Sequence, residues 1–428
     1  FVKMLRNKLV TGIGSVRYMS EIPTLKDKPV QDYRNLRAVK AVYGCGLTKT
    51  GSLATSSYVE KRSSPESISC PVRIGYCVGK KIKKIASGFG FSLFASSNEL
   101  YGSGLNNFYQ LGGPINDDNH KRTEQYYIGG KRIVLPENSG KIVDIAAGRL
   151  HSLVATTSKV YAFGDNAQGQ CGRNPEKYPF VTHSASYAKL RYVNLPDGAV
   201  PKKVHCSLDT SFVLLEDGRL FSFGLNADGQ TGSGSLETHW IPNEVQGDVK
   251  GEHIVDVAGS ADTLMAVNRN GDVFAWGLNE YGQLHAVTDE IQVDFPRVLN
   301  WKLGKVVSVA ATGSSCILCT SEGLAYSWGG QILGFGPEVT TLDRPMLLDP
   351  PLFSSAVNND GRVKRVFAGC YSMGVLTSEG NFFIWGMNRY GSLGLGHSDD
   401  QLFPFQVFVP EQIKTVSLGP DHSLFLTQ

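Results

Sequence analysis

The stretch VDIAAGRLHSLVATTSKVYAFGDNAQGQCG, residues 143–172, contains the pattern on which most of the chain is built. It holds three short apolar runs, at residues 143–147, 152–156 and 160–163, and none is long enough to form a helix. Glycines separate the runs, and glycine tolerates the backbone conformations of tight turns. The stretch therefore predicts three short β-strands joined by tight turns.

The glycine at the end of the third run recurs along the chain at intervals of 52 to 60 residues. Its copies are Gly46, Gly104, Gly164, Gly224, Gly277, Gly329 and Gly386. Aromatic and small residues alternate before most copies, as in VYAFG at residues 160–164. Turn signals such as Asp217-Gly218 stand between the second and third runs, where a tight hairpin favours glycine. A repeat of this length, made of short strands, is typical of propeller blades or of a solenoid.

The two ends of the chain each supply part of one unit. Residues 39–54 contain only the second half of a unit, and residues 415–428 contain only the first half. Together they complete a seventh unit, and a ring closed in this way leaves no long open sheet edge. The sequence therefore predicts an all-β fold over residues 39–428, a seven-bladed β-propeller closed by pairing of the N- and C-terminal half-blades.

The first 38 residues lie outside the repeats. Residues 4–20 include Arg6, Lys8 and Arg17 and no acidic residue, a composition typical of a mitochondrial transit peptide. A basic arm without a targeting role is the alternative. We expect a transit peptide over residues 1–20, an N-terminal extension over residues 21–38, and a mitochondrial location in the matrix.

The composition suits a chain that buries a large core, with 41% apolar residues and a formal net charge of only +3. This charge neither requires nor excludes a nucleic-acid partner. Eight irregularly spaced cysteines do not resemble a disulfide framework and favour a reducing compartment. No apolar run reaches about 18 residues, so no transmembrane span is predicted, and peripheral association with the inner membrane stays open.

No sequence motif of a covalent catalyst occurs in the chain. There is no glycine-rich phosphate loop, no nucleophile elbow and no pair of histidines at metal spacing. Cys316 and Cys319 have the spacing of a metal-binding pair, but residues three apart on a strand face opposite sides. We therefore expect no catalytic residue, no metal site and no cofactor.

The repeat pattern V-x-x-A-x-G-x-x-H-S-x-x-L, followed by a glycine hairpin and by aromatic-x-W/F-G-x-N-x-x-G-Q-x-G, resembles the repeat of the regulator-of-chromosome-condensation family. The resemblance covers about residues 39–428 and recurs seven times, and it implies a seven-bladed propeller. The transit-like start is similar to that of a mitochondrial member of the family, as are four short segments. These are GFGFSL at residues 88–93, YGQL at 281–284, ILGFGP at 332–337 and DQLFP at 400–404.

Two roles are implied by this resemblance. The first is a non-catalytic scaffold that supports large-subunit ribosomal RNA stability and mitoribosome assembly, with mitochondrial ribosomal RNA and assembly factors as partners. The alternative is guanine-nucleotide exchange on a mitochondrial dynamin-like GTPase that promotes membrane fusion. We favour the RNA scaffold because basic residues are abundant at one point of the repeat, whereas the residues implied in exchange are partly missing.

The turn before the second strand of each unit is the place where the family's exchange residues would lie. The aligned positions are Phe91, His151, Thr210, Thr263, Ser315, Ser372 and His422. Polar groups at such positions can instead satisfy buried groups between blades. By resemblance, the acidic exchange position matches Asp209, but the histidine position falls on Ser314 or Ser315, and the wedge position holds an ordinary turn. Our candidate GTPase-contacting residues are Asp209, His151 and His422.

Basic residues recur just before the first strand of most units, where the fold would gather them onto one rim of the propeller. Such a rim could follow a phosphate backbone, or the lysines could simply solubilise the strand ends. The long connections at residues 113–140 and 173–200 also mix basic and aromatic residues, as many single-stranded RNA binders do. Our candidate RNA-binding residues are Lys83, Lys84, Lys121, Arg122, Lys131, Arg132, Lys202, Lys203, Lys364 and Arg365.

Overall fold

A computed structural model describes residues 40–55, 66–113, 126–182, 192–354 and 361–428. In these ranges the strands form seven antiparallel four-stranded sheets within one unit, Lys40–Gln428. The sheets surround a central channel that is lined by the first strand of every sheet. The predicted all-β, seven-bladed propeller is thus confirmed.

Each blade has four strands, counted here from the channel outwards. The innermost strands are β3 (Lys84–Ser87), β7 (Ile142–Ala147), β11 (Pro201–Ser207), β15 (Ile254–Ala258), β19 (Val306–Ala311), β23 (Val363–Ala368) and β27 (Ile413–Leu418). The second strands are β4 (Phe91–Ala95), β8 (His151–Thr156), β12 (Thr210–Leu215), β16 (Thr263–Asn268), β20 (Ser315–Thr320), β24 (Ser372–Thr377) and β28 (His422–Thr427).

The third strands carry the repeated glycines. They are β5 (Leu100–Leu105), β9 (Val160–Asp165), β13 (Leu220–Gly224), β17 (Val273–Leu278), β21 (Ala325–Gly330), β25 (Phe382–Gly386) and β1 (Val42–Leu47). The outer strands are β6 (Tyr126–Ile133), β10 (Phe180–Val181), β14 (His239–Glu244), β18 (Gln292–Leu299), β22 (Thr341–Leu347), β26 (Gln401–Val407) and β2 (Ser67–Arg73). Short 3-10 helices span Gly75–Cys77, Gly247–Val249, Pro350–Phe353 and Arg389–Gly391.

Blades 1 to 6 follow the chain from β3 to β26, and blade 7 combines β27 and β28 with β1 and β2. Within blade 7, β1 pairs antiparallel with β28, so that Val42 lies opposite Leu426. Ala41 donates its backbone N–H to the Thr427 hydroxyl over 2.9 Å, and the Thr427 N–H donates to the Ala41 carbonyl over 3.0 Å. The predicted closure by the two half-blades is therefore confirmed.

The repeated glycine permits a close approach between the third and second strands. All seven copies have a φ between 92° and 124°, a range that side chains disfavour. A Cβ atom on Gly164 would overlap the carbonyl oxygen of Leu150. The next residue, Asp165, donates its backbone N–H to that same carbonyl over 2.9 Å. The glycine therefore recurs once per blade because every blade requires this backbone conformation and close approach at the same point.

The outer strands were not expected from the sequence, which shows only three apolar runs per unit. β6 and β10 fall inside segments that the sequence suggests are long connections. In β6, Tyr127 lies opposite Gly104 and packs partly buried against the core of blade 1. Part of each segment therefore completes a blade instead of forming a free binding loop.

Candidate functional site

The two candidate histidines lie between neighbouring blades. His151 and His422 are fully buried at the first position of β8 and β28. His151 Nε2 lies 2.9 Å from the Ser211 hydroxyl of blade 3, and His422 Nε2 lies 2.7 Å from the Ser92 hydroxyl of blade 1. Of the two alternatives for this position, the geometry favours hydrogen bonding between blades over contact with a GTPase.

The hydrogen-bond partners determine which ring nitrogen carries the proton. The Ser211 hydroxyl donates its single hydrogen to the Gln170 carbonyl over 2.7 Å, so His151 Nε2 must be the donor to Ser211. Burial, with the nearby Arg149 charge, lowers the pKa of His151 to about 3. In His422 the other nitrogen is the donor: Nδ1 lies 2.7 Å from the Asp421 carboxylate, and a carboxylate can only accept.

Asp209, the acidic candidate, lies in the turn that joins β11 to β12. Its carboxylate is buried and forms an ion pair with Arg149 from the corresponding turn of blade 2. The Arg149 backbone N–H also donates to the Leu208 carbonyl over 3.0 Å. A protein docking on this end of the propeller would therefore meet the half-exposed Arg149 before Asp209. We call this end, where the innermost strands turn into the second strands, the turn rim.

Charged residues occupy five of seven aligned positions around the channel, which we call the channel ring, and the alternation of their sign in blades 1 to 4 was not predicted from the sequence. The aligned residues of the seven innermost strands are Lys84, Asp144, Lys203, Asp256, Ser308, Arg365 and Thr415. Lys84 pairs with Asp144 over 2.8 Å, and Lys203 pairs with Asp256. Comparing this one position across the units would have shown the alternation of charge.

Three candidate RNA-binding residues, Lys84, Lys203 and Arg365, belong to this ring. In most innermost strands the pairing register shifts at the residue just before the ring position. This shift is a β-bulge, and it changes the direction of the side chains that follow it. Lys203 lines the channel, where the cavity volume is about 250 Å³. Burial by itself would raise the pKa of Asp256, but Lys203 and Arg365 hold it below its ordinary value. These cations therefore have a structural role that the rim interpretation did not include.

The bulge residue itself is lysine in three blades, at Lys202, Lys364 and Lys414, and Lys83 occupies the aligned position in blade 1. These side chains lie at the end of the channel where the innermost strands begin, which we call the basic rim. Lys364 and Lys414 are exposed, and within the described ranges neither forms an ion pair. Lys83 donates to the Ser97 hydroxyl over 2.7 Å.

The remaining basic candidates are more dispersed. Lys131 donates to the Gly113 carbonyl over 3.1 Å and to the Tyr127 hydroxyl over 3.0 Å. Arg132 pairs with Glu99 over 3.3 Å. Lys121 and Arg122 lie outside the described residues.

Blades 6, 7 and 1 are adjacent, and the structure therefore gathers their rim lysines into one region. We call this region the basic arc; its members are Lys80, Lys81, Lys83, Lys364 and Lys414. Of the nearby acidic residues, Glu99 pairs with Arg132, and burial together with a hydrogen bond to Glu411 raises the pKa of Tyr43 to about 12. Lys81, Lys83, Lys364 and Lys414 are exposed and Lys80 is half-buried, so the arc is a region of positive charge at the surface.

Cysteine and acidic groups form no evident metal centre in the described ranges, where no three potential ligands come together. Cys316 and Cys319 are both buried and unpaired on β20. Burial raises the pKa of Cys319 to about 12, so its thiol stays protonated. No helix in the described part of the chain has the length and apolar character needed to span a bilayer.

Seven antiparallel blades around a channel, with a glycine at the end of every third strand, define a closed propeller of repeated units. The family model described as the regulator of chromosome condensation (RCC1) repeat matches residues 217–267, 270–319 and 379–426. A second model of the same repeat matches residues 142–170, 202–230 and 254–283. The RCC1-like G exchanging factor-like protein of Mus musculus is 34% identical over 422 residues, which cover 94% of this chain and 91% of that protein. The chain therefore belongs to the RCC1 repeat family.

Solved structures show the same architecture. The crystal structure of human WBSCR16 is 32% identical, with a TM-score of 0.82, and the match covers 91% of this chain and all of that one. Prp20p of Saccharomyces cerevisiae, studied for its binding to Gsp1p and histones, has a TM-score of 0.73 and covers 93% of this chain and 94% of its own. At 18% identity, the likeness to Prp20p concerns the fold alone.

Proposed function

We propose that this chain is a non-catalytic mitochondrial scaffold that binds large-subunit ribosomal RNA and supports mitoribosome assembly. The basic arc is the observation that carries this proposal. Its lysines lie on three consecutive blades, and Lys364 and Lys414 are exposed without an acidic partner among the described residues. A row of unpaired cations suits a phosphate backbone, because each contact releases condensed counterions.

The mitochondrial part of the proposal depends on residues 1–20, whose basic, acid-free composition favours import into the matrix. These residues lie outside the described ranges. Imaging the full chain and a variant lacking residues 1–20 would test the location. Matrix import that is unaffected by the deletion would exclude the transit role.

Charge reversal on the arc tests the RNA proposal. The double variant Lys364→Glu/Lys414→Glu should abolish crosslinking to ribosomal RNA in intact mitochondria. In vitro, it should lower the slope of log affinity against log salt by about 0.7 for each lost phosphate contact. Lys250→Glu is the matched control, because Lys250 is exposed on the same rim between blades 3 and 4. Equal crosslinking by the double variant and the wild type would remove the RNA assignment.

Guanine-nucleotide exchange on a mitochondrial dynamin-like GTPase is the second candidate. Two observations favour it: the name of the 34% identical mouse relative, and the pair of Arg149 and Asp209 on the turn rim. Purified chain should then accelerate GDP release from such a GTPase, and Asp209→Ala should slow that release. The turn rim and the basic rim are opposite ends of the channel, so the arc variant should leave exchange unchanged. No acceleration with any candidate GTPase would exclude this function.

A further inference from the structure

Phe408 is an exposed aromatic residue in a connection on the same rim as the basic arc. It follows the last residue of β26, Val407, in the connection that leads to β27 and Lys414. Val407 lies opposite Phe382, the first residue of β25, which places the connection at the basic rim. The Phe408 side chain is 71% exposed, although a phenyl ring normally gains free energy by burial. Its ring is more exposed than those of Phe403, Phe405 and Tyr371, whose exposures are 49%, 52% and 50%.

The other blades provide an internal comparison. In every blade a buried aliphatic residue ends the outer segment opposite the start of the third strand, as Val245 and Leu348 do. The residues that follow it in blades 1 to 7 are Val134, Asn194, Gln246, Asn300, Asp349, Phe408 and Gly75. Phe408 is the one aromatic residue among these seven described positions, so blade geometry does not require a ring there.

Packing of the connection does not require the ring either. The neighbouring Val409 packs against the hydrophobic core of blades 6 and 7, and no ring contact is recorded for Phe408 within the described residues. A side chain that contributes little to the core, and whose six counterparts are not aromatic, is free to serve a ligand.

We propose that Phe408 stacks on an unpaired base of single-stranded RNA whose flanking phosphates contact Lys364 and Lys414. This inference rests on the RNA-binding function proposed above and specifies the kind of RNA that the arc takes. A flat ring beside cations is the usual arrangement of single-strand binders, because every base has a π-face that can stack. Bases in a duplex already stack on their neighbours, so a side chain at a rim cannot reach their faces.

Binding of the full chain to a short unstructured RNA, and to the same RNA annealed to its complement, tests this inference. Phe408→Ala should weaken single-strand binding about 5- to 150-fold, the range observed for loss of one stacked base. Phe408→Trp should retain the affinity, and duplex binding should not change in either variant. Phe405→Ala is the matched control, because Phe405 is 52% exposed but lies within β26 instead of in the connection.

The outcomes separate this inference from the proposed function. Unchanged single-strand binding by Phe408→Ala, with loss of binding by Lys364→Glu/Lys414→Glu, would overturn the stacking role and leave the RNA function standing. Unchanged binding by both variants would overturn both proposals. Sedimentation with vesicles of phosphatidylcholine and phosphatidylserine tests the rival partner. Vesicle binding that depends on Phe408, without single-strand binding, would assign the ring to a membrane and refute the inference.

Discussion

His151 of blade 2 donates a hydrogen bond from Nε2 to the Ser211 hydroxyl of blade 3 over 2.9 Å. The Ser211 hydroxyl in turn donates a hydrogen bond to the Gln170 carbonyl of blade 2, so these hydrogen bonds link the two neighbouring blades in both directions. The imidazole must be neutral to fit here, because it is buried and its Nδ1 atom has no partner among the described residues. Of the two roles considered for this position in the sequence, GTPase contact and hydrogen bonding between blades, the geometry supports the second.

The buried, neutral His151 predicts that the free energy of unfolding decreases as the pH falls. The pKa of His151 is about 3 when folded and about 6.5 when unfolded, so its contribution is complete above pH 6.5. As the pH falls from about 6.5 towards 3, the unfolded chain binds a proton that the folded chain cannot. His151 should therefore account for a loss of about 2 kcal/mol between pH 7.5 and pH 5. His151→Gln keeps a donor for Ser211 and should show a smaller loss in urea unfolding. An identical pH dependence in both proteins would contradict this.

The buried tryptophans offer a matched pair. Trp276 Nε1 donates to the Gln230 carbonyl of the preceding blade over 2.9 Å, whereas Trp385 Nε1 has no partner among the described residues. Both side chains are fully buried, so replacement by phenylalanine removes similar volumes. Trp276→Phe should cost about 1 kcal/mol more than Trp385→Phe in denaturant unfolding, because it also leaves a carbonyl unpaired. Equal costs would show that this hydrogen bond contributes nothing.

A third expectation concerns the repeated glycine. Gly164→Ala should destabilise the propeller by at least about 3 kcal/mol, since the new Cβ would overlap the Leu150 carbonyl in addition to straining the backbone. Gly198→Ala is the control, because Gly198 also has a positive φ, of 76° against 118° at Gly164, but no atom lies within 4 Å of the added carbon. It should cost only about 1–2 kcal/mol. Thermal unfolding measures both, and a milder effect at Gly164 would contradict the close-approach explanation.

The channel ring can be probed with a double-mutant cycle. Lys203→Met and Asp256→Leu, singly and together, should give a coupling energy of about 1–3 kcal/mol, because both groups are largely withdrawn from water. The exposed pair of Arg219 and Asp217 should give less than about 1 kcal/mol by the same cycle. The coupling at Lys203 should also persist in high salt. Equal coupling of the two pairs would place the ring in effectively aqueous surroundings.

How far the sequence predicts the molecule depends on the range of the interaction. His151 shows the limit well: the sequence placed it in the turn just before a second strand, whereas it is the first residue of β8, and its partner Ser211 lies 60 residues away. The same holds for Lys84, whose partner Asp144 belongs to the next blade. The repeat pattern left both roles of His151 open, because it does not identify the residue of the next blade that each side chain meets.

By itself, the sequence determined the number of blades, the three inner strands of each and the closure of the ring. These features follow from local chemistry: a glycine such as Gly164 is needed wherever φ is positive and a carbonyl lies close by. Only the tertiary structure decided which basic residues remain available to a partner. A bulge and the carboxylate of the adjacent blade direct Lys203 into the channel, while Lys364 and Lys414 stay exposed on the rim that also carries Phe408. Exposure and pairing depend on residues that are distant in the chain and adjacent only when the ring has closed.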